Sequence, residues 1–347
     1  MGRPTVLTPA EMAKFKAFIG TIKNPPNPYR LINNGLPAGL FNGGNPINGS
    51  SLYNTAPIDG GAITCVQCHA LPTGTNGQLT SAAALQETQS MKIPQLRNMY
   101  RKTGFSKTSS SNNRGFGFSH DGSVDTLFSF LQLPVFQFPS GATGTQQRLD
   151  IEAFLFCFSI DTHAAVGSQS TLVSLGGAVP SQVSLLDTFE SLAASNAVGL
   201  VVKGSVGGLQ RGYAYAGSGV FQTDRRNETV SSAALRALAA PGSELTYTIV
   251  PAGSQTRIGV DRDLDTFFDR DEVIAGSNPA DPNSVPPPPC VGDINGDRII
   301  NTADLTILLA NFGQAVPAGT LGDFDGNATV NTADLTTFLA AFGTACP

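Results

Sequence analysis

The sequence predicts a multi-domain protein with a mainly α-helical N-terminal domain, a small α+β middle domain and an α-helical C-terminal module. Three observations predict this organisation. Loop-rich helical sequence gives way near residue 161 to mixed strand and helix segments, a proline-rich linker begins at Val285, and an internal repeat follows that linker. The predicted boundaries are 1–160, 161–258, 259–284, 285–290 and 291–347.

Composition limits the possible functions. The chain has 347 residues and a formal net charge of -5, and it contains no run of Lys or Arg, so a nucleic acid is not an expected partner. Gly (38) and Pro (23) are abundant, which is typical of loop-rich domains. No apolar run is long enough to span a bilayer, and no signal peptide follows Met1.

The N-terminal domain begins with a helix signal. Thr8-Pro9-Ala10-Glu11 forms a capping box with proline at the first helical position, and apolar residues follow at helical spacing from Met12 to Ile22. A Gly/Asn/Pro-rich stretch comes next, and residues 123–133 and 148–158 are predicted to be helices. The middle domain is predicted to have helices at 181–195 and 231–240 and strands at 199–203, 212–215 and 244–250. Its residues show no catalytic pattern, so its role is not predicted.

A Cys-x-x-Cys-His motif lies at residues 65–69. Two thiols at this spacing form thioethers with the vinyl groups of one covalent haem c, and the adjacent histidine then binds the iron. Cys65, Cys68 and His69 are therefore the predicted haem-binding residues. The alternatives are a redox dithiol and half of a zinc site. No second Cys/His pair has zinc-finger spacing, and no strand-helix pattern surrounds the motif, which disfavours both.

Two further motifs follow the haem motif. They read K-x-P-x-L-R-N from Lys92 and H-D-G-S-x-x-T-L from His120. Together with Cys65 to His69 they resemble the C-terminal haem domain of bacterial di-haem cytochrome c peroxidases, over about residues 50–135. The resemblance implies a cytochrome c-like fold, with Arg97 near a haem propionate and the His120 segment close to the haem.

The chain departs from that family in two ways. It has one haem-attachment motif instead of two, and Pro134 stands where the family has the sixth iron ligand. An electron carrier is therefore expected in preference to a peroxidase. Met91 and His120 are equally weighted candidates for the sixth ligand. Met99 packing as an apolar residue, and an open iron site, remain as alternatives.

The C-terminal segment contains a repeat in which Asn301-Thr302-Ala303-Asp304-Leu305 recurs 30 residues later. Each copy has oxygen-bearing residues at positions 1, 3, 5, 9 and 12 of a loop that precedes a helix, as calcium loops of the EF-hand type require. A third loop with the same spacing lies upstream and ends in a glutamate. The predicted calcium ligands are Asp261, Asp263, Asp265, Asp269 and Glu272; Asp293, Asn295, Asp297, Asn301 and Asp304; and Asp323, Asp325, Asn327, Asn331 and Asp334.

The tandem loops at 291–345 resemble a type I dockerin, and the upstream loop resembles a thrombospondin type 3 calcium repeat. The dockerin resemblance implies two calcium ions and a cohesin-like partner; the third loop raises the expected number to two or three. Arg298 and Ala328 stand at position 6, where such loops commonly have glycine. Anchoring without a cohesin, or self-assembly, are the alternative roles for this module.

The remaining cysteines indicate the compartment. Cys290 and Cys346 bracket the C-terminal segment, and a disulfide between them would fit an oxidising environment. Cys157 lies in an apolar run and is expected to be a buried thiol. Covalent haem of this type is made outside the bacterial cytoplasm, so we expect a periplasmic, cell-surface or secreted protein whose export signal is missing from this sequence. The expected function is one-electron transfer with a redox partner protein. A peroxidase-like enzyme and a calcium-dependent assembly component are the alternatives.

Overall fold

The structure is a computed structural model that describes residues 6–85, 88–104, 115–288, 290–344 and 346. It divides into two compact units, residues 1–260 and 261–347. Within the described ranges, no helix is both long and apolar enough to cross a membrane. Pro289 of the predicted linker lies outside the described residues.

The first part of unit 1 contains short helices connected by long loops, with an apolar core that includes Tyr53, Met99 and Phe154. Its elements, in chain order, are α1 (Pro9–Thr21), α2 (Pro46–Thr55), α3 (Cys65–Cys68), β1 (Leu79–Thr80), α4 (Ala82–Leu85), β2 (Met91–Lys92), a 3-10 turn (Met99–Arg101), α5 (Leu127–Phe130) and α6 (Gly141–Phe156).

Helices α2 and α6 cross closely in this core. Gly49 lies at the crossing, where an added Cβ would be 1.8 Å from the Asp150 carbonyl oxygen. The missing side chain therefore permits backbone-to-backbone contact. Tyr53 and Phe154 pack edge to face beside it, with ring centroids 5.1 Å apart. The Asp150 carboxylate accepts a hydrogen bond from the Asn45 backbone N–H at 2.7 Å, which fixes the start of α2.

The second part of unit 1 contains β3 (Gln169–Leu172), α7 (Pro180–Ala194), β4 (Gly199–Val206), β5 (Leu209–Gly217), β6 (Val220–Thr223), β7 (Thr229–Ser231), α8 (Ser232–Ala237), β8 (Leu245–Val250) and α9 (Gln255–Gly259). Its strands form an antiparallel sheet with the order β3-β8-β4-β5-β6-β7. Leu200 and Val202 face a core shared with Leu186 and Phe189 of α7. Lys203, on the alternate face, donates from Nζ to the Gly259 carbonyl of α9 at 2.8 Å.

Unit 2 consists of three loop-helix segments. Its helices are α10 (Asp269–Ala275), α11 (Thr302–Asn311) and α12 (Thr332–Ala341). Leu308 and Phe338, at equivalent positions of the repeat, are fully buried in one small core. A disulfide joins Cys290 to Cys346, with their Cα atoms 5.3 Å apart, which confirms the predicted pairing.

Local structure follows the sequence expectations unevenly. The helices predicted at 181–195 and from Thr8 are confirmed, but no residue of α1 is buried, so its apolar stripe faces away from the core. The helix predicted at 123–133 is wrong in extent, because only Leu127–Phe130 is helical. Helix α2 was not predicted from its Gly/Asn-rich sequence. The broader multi-domain fold class stays a prediction.

Candidate haem and calcium sites

The Cys-x-x-Cys-His motif forms one helical turn. Cys65 and Cys68 lie at the two ends of α3, and both are free thiols. The Gln67 side chain accepts from the Thr64 backbone N–H at 2.7 Å, so the turn is held without using either sulfur. Burial raises the pKa of the Cys65 thiol to about 11. Redox-active dithiols have a lowered thiol pKa, so this environment disfavours the dithiol alternative.

His69 follows the turn with a fixed ring orientation. Its Nδ1–H donates to two backbone carbonyls, those of Gly74 at 2.8 Å and Pro94 at 3.1 Å. A carbonyl can only accept, so the proton is on Nδ1 and the Nε2 lone pair remains for a metal. This is the arrangement expected of a histidine ligand, whose other nitrogen donates to a neighbouring acceptor.

The two carbonyls approach His69 because of local backbone features. Gly74 has φ of +74°, and an added Cβ would lie 2.7 Å from the Leu96 backbone nitrogen. Only glycine fits this left-handed position against the neighbouring chain. The Tyr53 hydroxyl, on a fully buried side chain of α2, donates to the His69 carbonyl. The K-x-P segment and α2 therefore both position the histidine.

The side chain of Arg97 is half-buried and contacts Asp161, the first residue of the predicted middle domain. Its terminal nitrogens donate to the Asp161 carboxylate at 2.9 and 2.8 Å, with side-chain exposures of 18% for Arg97 and 31% for Asp161. The Arg97 Nε is buried and has no hydrogen-bond partner among the described residues. A buried N–H without an acceptor is costly, and a haem propionate would supply the missing acceptor. The residues present thus fit the predicted group.

The candidates for the sixth ligand lie in different environments. Met99 is 5% exposed and packs in the apolar core beside Tyr100, which supports the packing role considered from sequence. Met91 is half-buried in β2, opposite Thr80. His120 and Asp121 lie in an exposed turn, in which the Asp121 carboxylate accepts from the Ser123 N–H. Met91 and His120 both remain candidates.

The upstream loop of unit 2 gathers buried acidic oxygens. One oxygen from each of Asp261, Asp263 and Asp265 lies within 4.8 Å of the others. Glu272 is fully buried, and its Oε2, like the Oδ2 atoms of Asp263 and Asp265, has no hydrogen-bond partner among the described residues. Burial and the neighbouring aspartates raise the pKa of Glu272 to about 7. A divalent cation would neutralise this set of hard oxygen donors. Asp269 instead accepts from the Arg262 backbone N–H at 2.9 Å.

The tandem loops gather carboxylates in the same way. Oxygens of Asp293, Asp297 and Asp304 form one group within 4.8 Å, and those of Asp323, Asp325 and Asp334 form another. The side chains at position 9, Asn301 and Asn331, accept from the N–H groups of Ala303 and Ala333 and so cap the helices α11 and α12. At position 3, the Asn295 amide donates to Asp297; at position 5, the Asn327 amide donates to Asp325. A third group of Cys290, Asp293 and Cys346 cannot bind a metal through sulfur, because its cysteines form the disulfide.

Position 6 of both tandem loops has a left-handed backbone. Arg298 has φ of 67° and Ala328 has φ of 65°. This conformation costs a residue with a Cβ roughly 1–2 kcal/mol. Because neither residue is glycine, the backbone is locally strained at Arg298 and at Ala328.

Each tandem loop pairs with the segment that follows the other repeat's helix. Gly313 donates to the Val330 carbonyl at 2.7 Å, and Gly343 donates to the Ile300 carbonyl at 2.8 Å. Since 313 and 343, like 300 and 330, are equivalent positions of the repeat, the exchange is reciprocal. Reciprocal backbone pairing thus links the two loops around a shared core.

No family model matches the chain, and no curated protein matches it. Among solved structures, a type II cohesin-dockerin domain from Bacteroides cellolosolvens is 33% identical, covering 16% of this chain and 90% of that chain, with a TM-score of 0.15.

Sequence reasoning missed two residues around the haem motif. Asp161 contacts Arg97 across 64 positions, and Tyr53 reaches His69 from a helix with weak local signals. No spacing pattern identifies either residue, because each contact depends on the tertiary fold. The KxPxLRN motif was the available signal for the Pro94 carbonyl, although its role toward His69 is evident only from the geometry.

Proposed function

We propose that this protein is an extracytoplasmic mono-haem c-type cytochrome that transfers single electrons to or from a redox partner protein. The observation that supports it most is the orientation of His69, whose Nδ1–H donates to the Gly74 and Pro94 carbonyls. Free Cys65 and Cys68 on the adjacent helical turn complete the attachment set. A redox dithiol would not explain this histidine geometry, and no second Cys/His pair in the sequence has the spacing of a zinc site.

The residues have separate roles in the proposed site. Cys65 and Cys68 would attach the haem, His69 Nε2 would bind its iron, and Arg97 would hold a propionate. The haem would supply reversible one-electron chemistry, and the protein tunes its potential through the axial ligand, hydrogen bonds and burial. The two carbonyls that accept from His69 Nδ1–H would keep the ring in one orientation in both oxidation states.

Covalent attachment gives a direct test. The full chain is exported from a host that matures c-type cytochromes and is then denatured in acid-acetone before pyridine haemochrome measurement. We expect one haem to stay with the protein, and none with the double variant Cys65→Ser/Cys68→Ser. Cys157→Ala is the matched control, because that buried thiol makes a hydrogen bond to the Tyr29 carbonyl and lies outside the motif. Extractable haem in the unmutated protein would refute the proposal.

The iron coordination then separates carrier from enzyme. A low-spin spectrum unchanged by carbon monoxide and hydrogen peroxide supports electron transfer. A high-spin spectrum that changes with either ligand favours the peroxidase-like alternative, with His120 and Asp121 as candidate acid-base groups. Met91→Ala and His120→Ala, compared in the same spectra, identify the sixth ligand.

We also propose that unit 2 binds two or three calcium ions and anchors the cytochrome or joins it to an assembly. The unpartnered buried oxygens of Asp263, Asp265 and Glu272 support the upstream site. Calorimetric titration should give the number of ions, with Glu272→Gln losing one. Glu244→Gln is a control in unit 1, whose carboxylate accepts from the Gly242 N–H, and it should lose none. Immobilised cohesin modules, tested with calcium and with a chelator, distinguish cohesin binding from self-association, which sedimentation measures separately.

A further inference from the structure

Asp161 lies where the middle domain begins and contacts the haem-side motif directly. Its two carboxylate oxygens accept from the two terminal nitrogens of Arg97, at 2.9 and 2.8 Å. Two parallel N–H···O bonds fix both the position and the plane of the guanidinium. The Arg97 Nε–H then projects from a guanidinium that cannot rotate freely.

The residues beside this pair are held as well. The Asn98 amide donates to the Asn24 side-chain oxygen at 2.9 Å, and the Thr162 hydroxyl donates to the Asn24 backbone carbonyl at 2.5 Å. One residue, Asn24, therefore bonds to the neighbours of both Arg97 and Asp161. The carboxylate of Asp161 is consequently part of a fixed junction rather than a mobile surface group.

The same segment reaches the iron-binding histidine. Pro94, three residues before Arg97, accepts from His69 Nδ1–H at 3.1 Å. A continuous series of contacts thus runs from His69 through residues 94–97 to Asp161. The buried Nε–H of Arg97 has no acceptor among the described residues and belongs to this connection.

We propose that Asp161 is a positioning residue for the haem: it binds the outer face of Arg97 so that the Nε–H is directed to a haem propionate, and its charge tunes the reduction potential. This inference rests on the proposed function. It gives the middle domain a role, because its first residue then contributes to the electrostatics of the electron-transfer site. Asp161 acts through Arg97 and does not itself touch the haem.

The charges predict opposite effects for the two partners. A carboxylate near the haem stabilises the ferric form, which has one more positive charge than the ferrous form, so its removal raises the potential. Removal of the Arg97 cation lowers the potential. A residue that only supports packing would not give opposite signs at the two ends of one ion pair.

The experiment measures midpoint potentials of the full-length, haem-loaded protein by spectroelectrochemical titration. Asp161→Asn should raise the ratio of ferrous to ferric protein at a fixed electrode potential by roughly threefold to tenfold, where tenfold equals about 59 mV for one electron. Arg97→Gln should lower that ratio. Asp161→Glu keeps the carboxylate, so its ratio should stay close to that of the wild type. Asp161→Ser provides the charge removal if Asp161→Asn does not accumulate.

A matched control comes from the same domain. Asp187→Asn removes a carboxylate that accepts from Arg236 at 2.7 Å, and it should leave the potential unchanged. A potential unchanged in both Asp161→Asn and Asp161→Ser overturns the inference, as does a shift of equal size in Asp187→Asn. Failure of the proposed function is distinguishable, because the unmutated protein would then show no covalent haem before any potential is measured.

Discussion

Replacing Gly49 with alanine should destabilise the N-terminal domain strongly. The new Cβ would lie 1.8 Å from the Asp150 carbonyl oxygen and 2.8 Å from the Phe154 Cβ. The first of these atoms is backbone in the middle of α6, so no change of side-chain rotamer relieves the clash. Ordinary contact begins near 3.4 Å, so α2 and α6 must separate by about 1.5 Å at this point, since interiors are close-packed.

The magnitude follows from what this separation disrupts. The Tyr53–Phe154 contact and the bond from Asn45 N–H to the Asp150 carboxylate both bridge the two helices. Overpacking of a core typically costs 1–3 kcal/mol and occasionally more, and a backbone clash belongs at the upper end. Alanine is favoured over glycine in a helix by about 1 kcal/mol. We therefore expect a net loss of about 2 kcal/mol in the free energy of unfolding.

Gly20→Ala is the matched control, because Gly20 also lies in a helix and an added Cβ there would meet nothing within 4 Å. It should leave stability unchanged or raise it slightly. The assay is urea unfolding of the calcium-saturated full chain followed by circular dichroism. A Gly49→Ala midpoint at or above that of the wild type would refute the proposed backbone contact between α2 and α6.

Three further predictions concern unit 2. The double variant Cys290→Ala/Cys346→Ala should lose about 4 kcal/mol of stability by the loop-entropy relation for a separation of 56 residues; a chelator-treated melt with an unchanged midpoint would contradict this. Ala328→Gly and Arg298→Gly should each raise calcium-free stability by about 1 kcal/mol through relief of left-handed strain, and lower midpoints in denaturant would contradict that. Without calcium, Glu272, whose pKa is raised from 4.5 to about 7, should stabilise the unit below pH 4.5, and this stability should decline as pH rises toward 7. Glu272→Gln should abolish that decline in chelator-treated pH melts.

The sequence could predict what depends on spacing along the chain. The Cys65 to His69 motif and the acidic positions of each loop in unit 2 are local patterns, and the structure brings the loop carboxylates together as expected. Helix α2 could not be predicted in this way, because PINGSSLYNT has low helix propensity and is stabilised by Asn45 capping and by burial of Tyr53. The contact of Arg97 with Asp161 spans 64 residues and requires the folded junction. Long-range partners such as these have no periodic signal.

The reciprocal backbone pairing of the tandem loops also sets the order in which the two loops can close while the chain is synthesised. The first tandem loop pairs at Ile300 with Thr344, and its Arg298 carbonyl accepts from the Cys346 backbone N–H. A chain emerging from the ribosome therefore cannot complete the pairing of its first loop until the last segment of the second repeat has followed. The second loop pairs with residues 313–316, which precede it in the chain, and it can therefore close earlier. Proteolytic removal of the residues after 342 would consequently open the first loop, more than 40 residues upstream of the cut, before it disturbed the second.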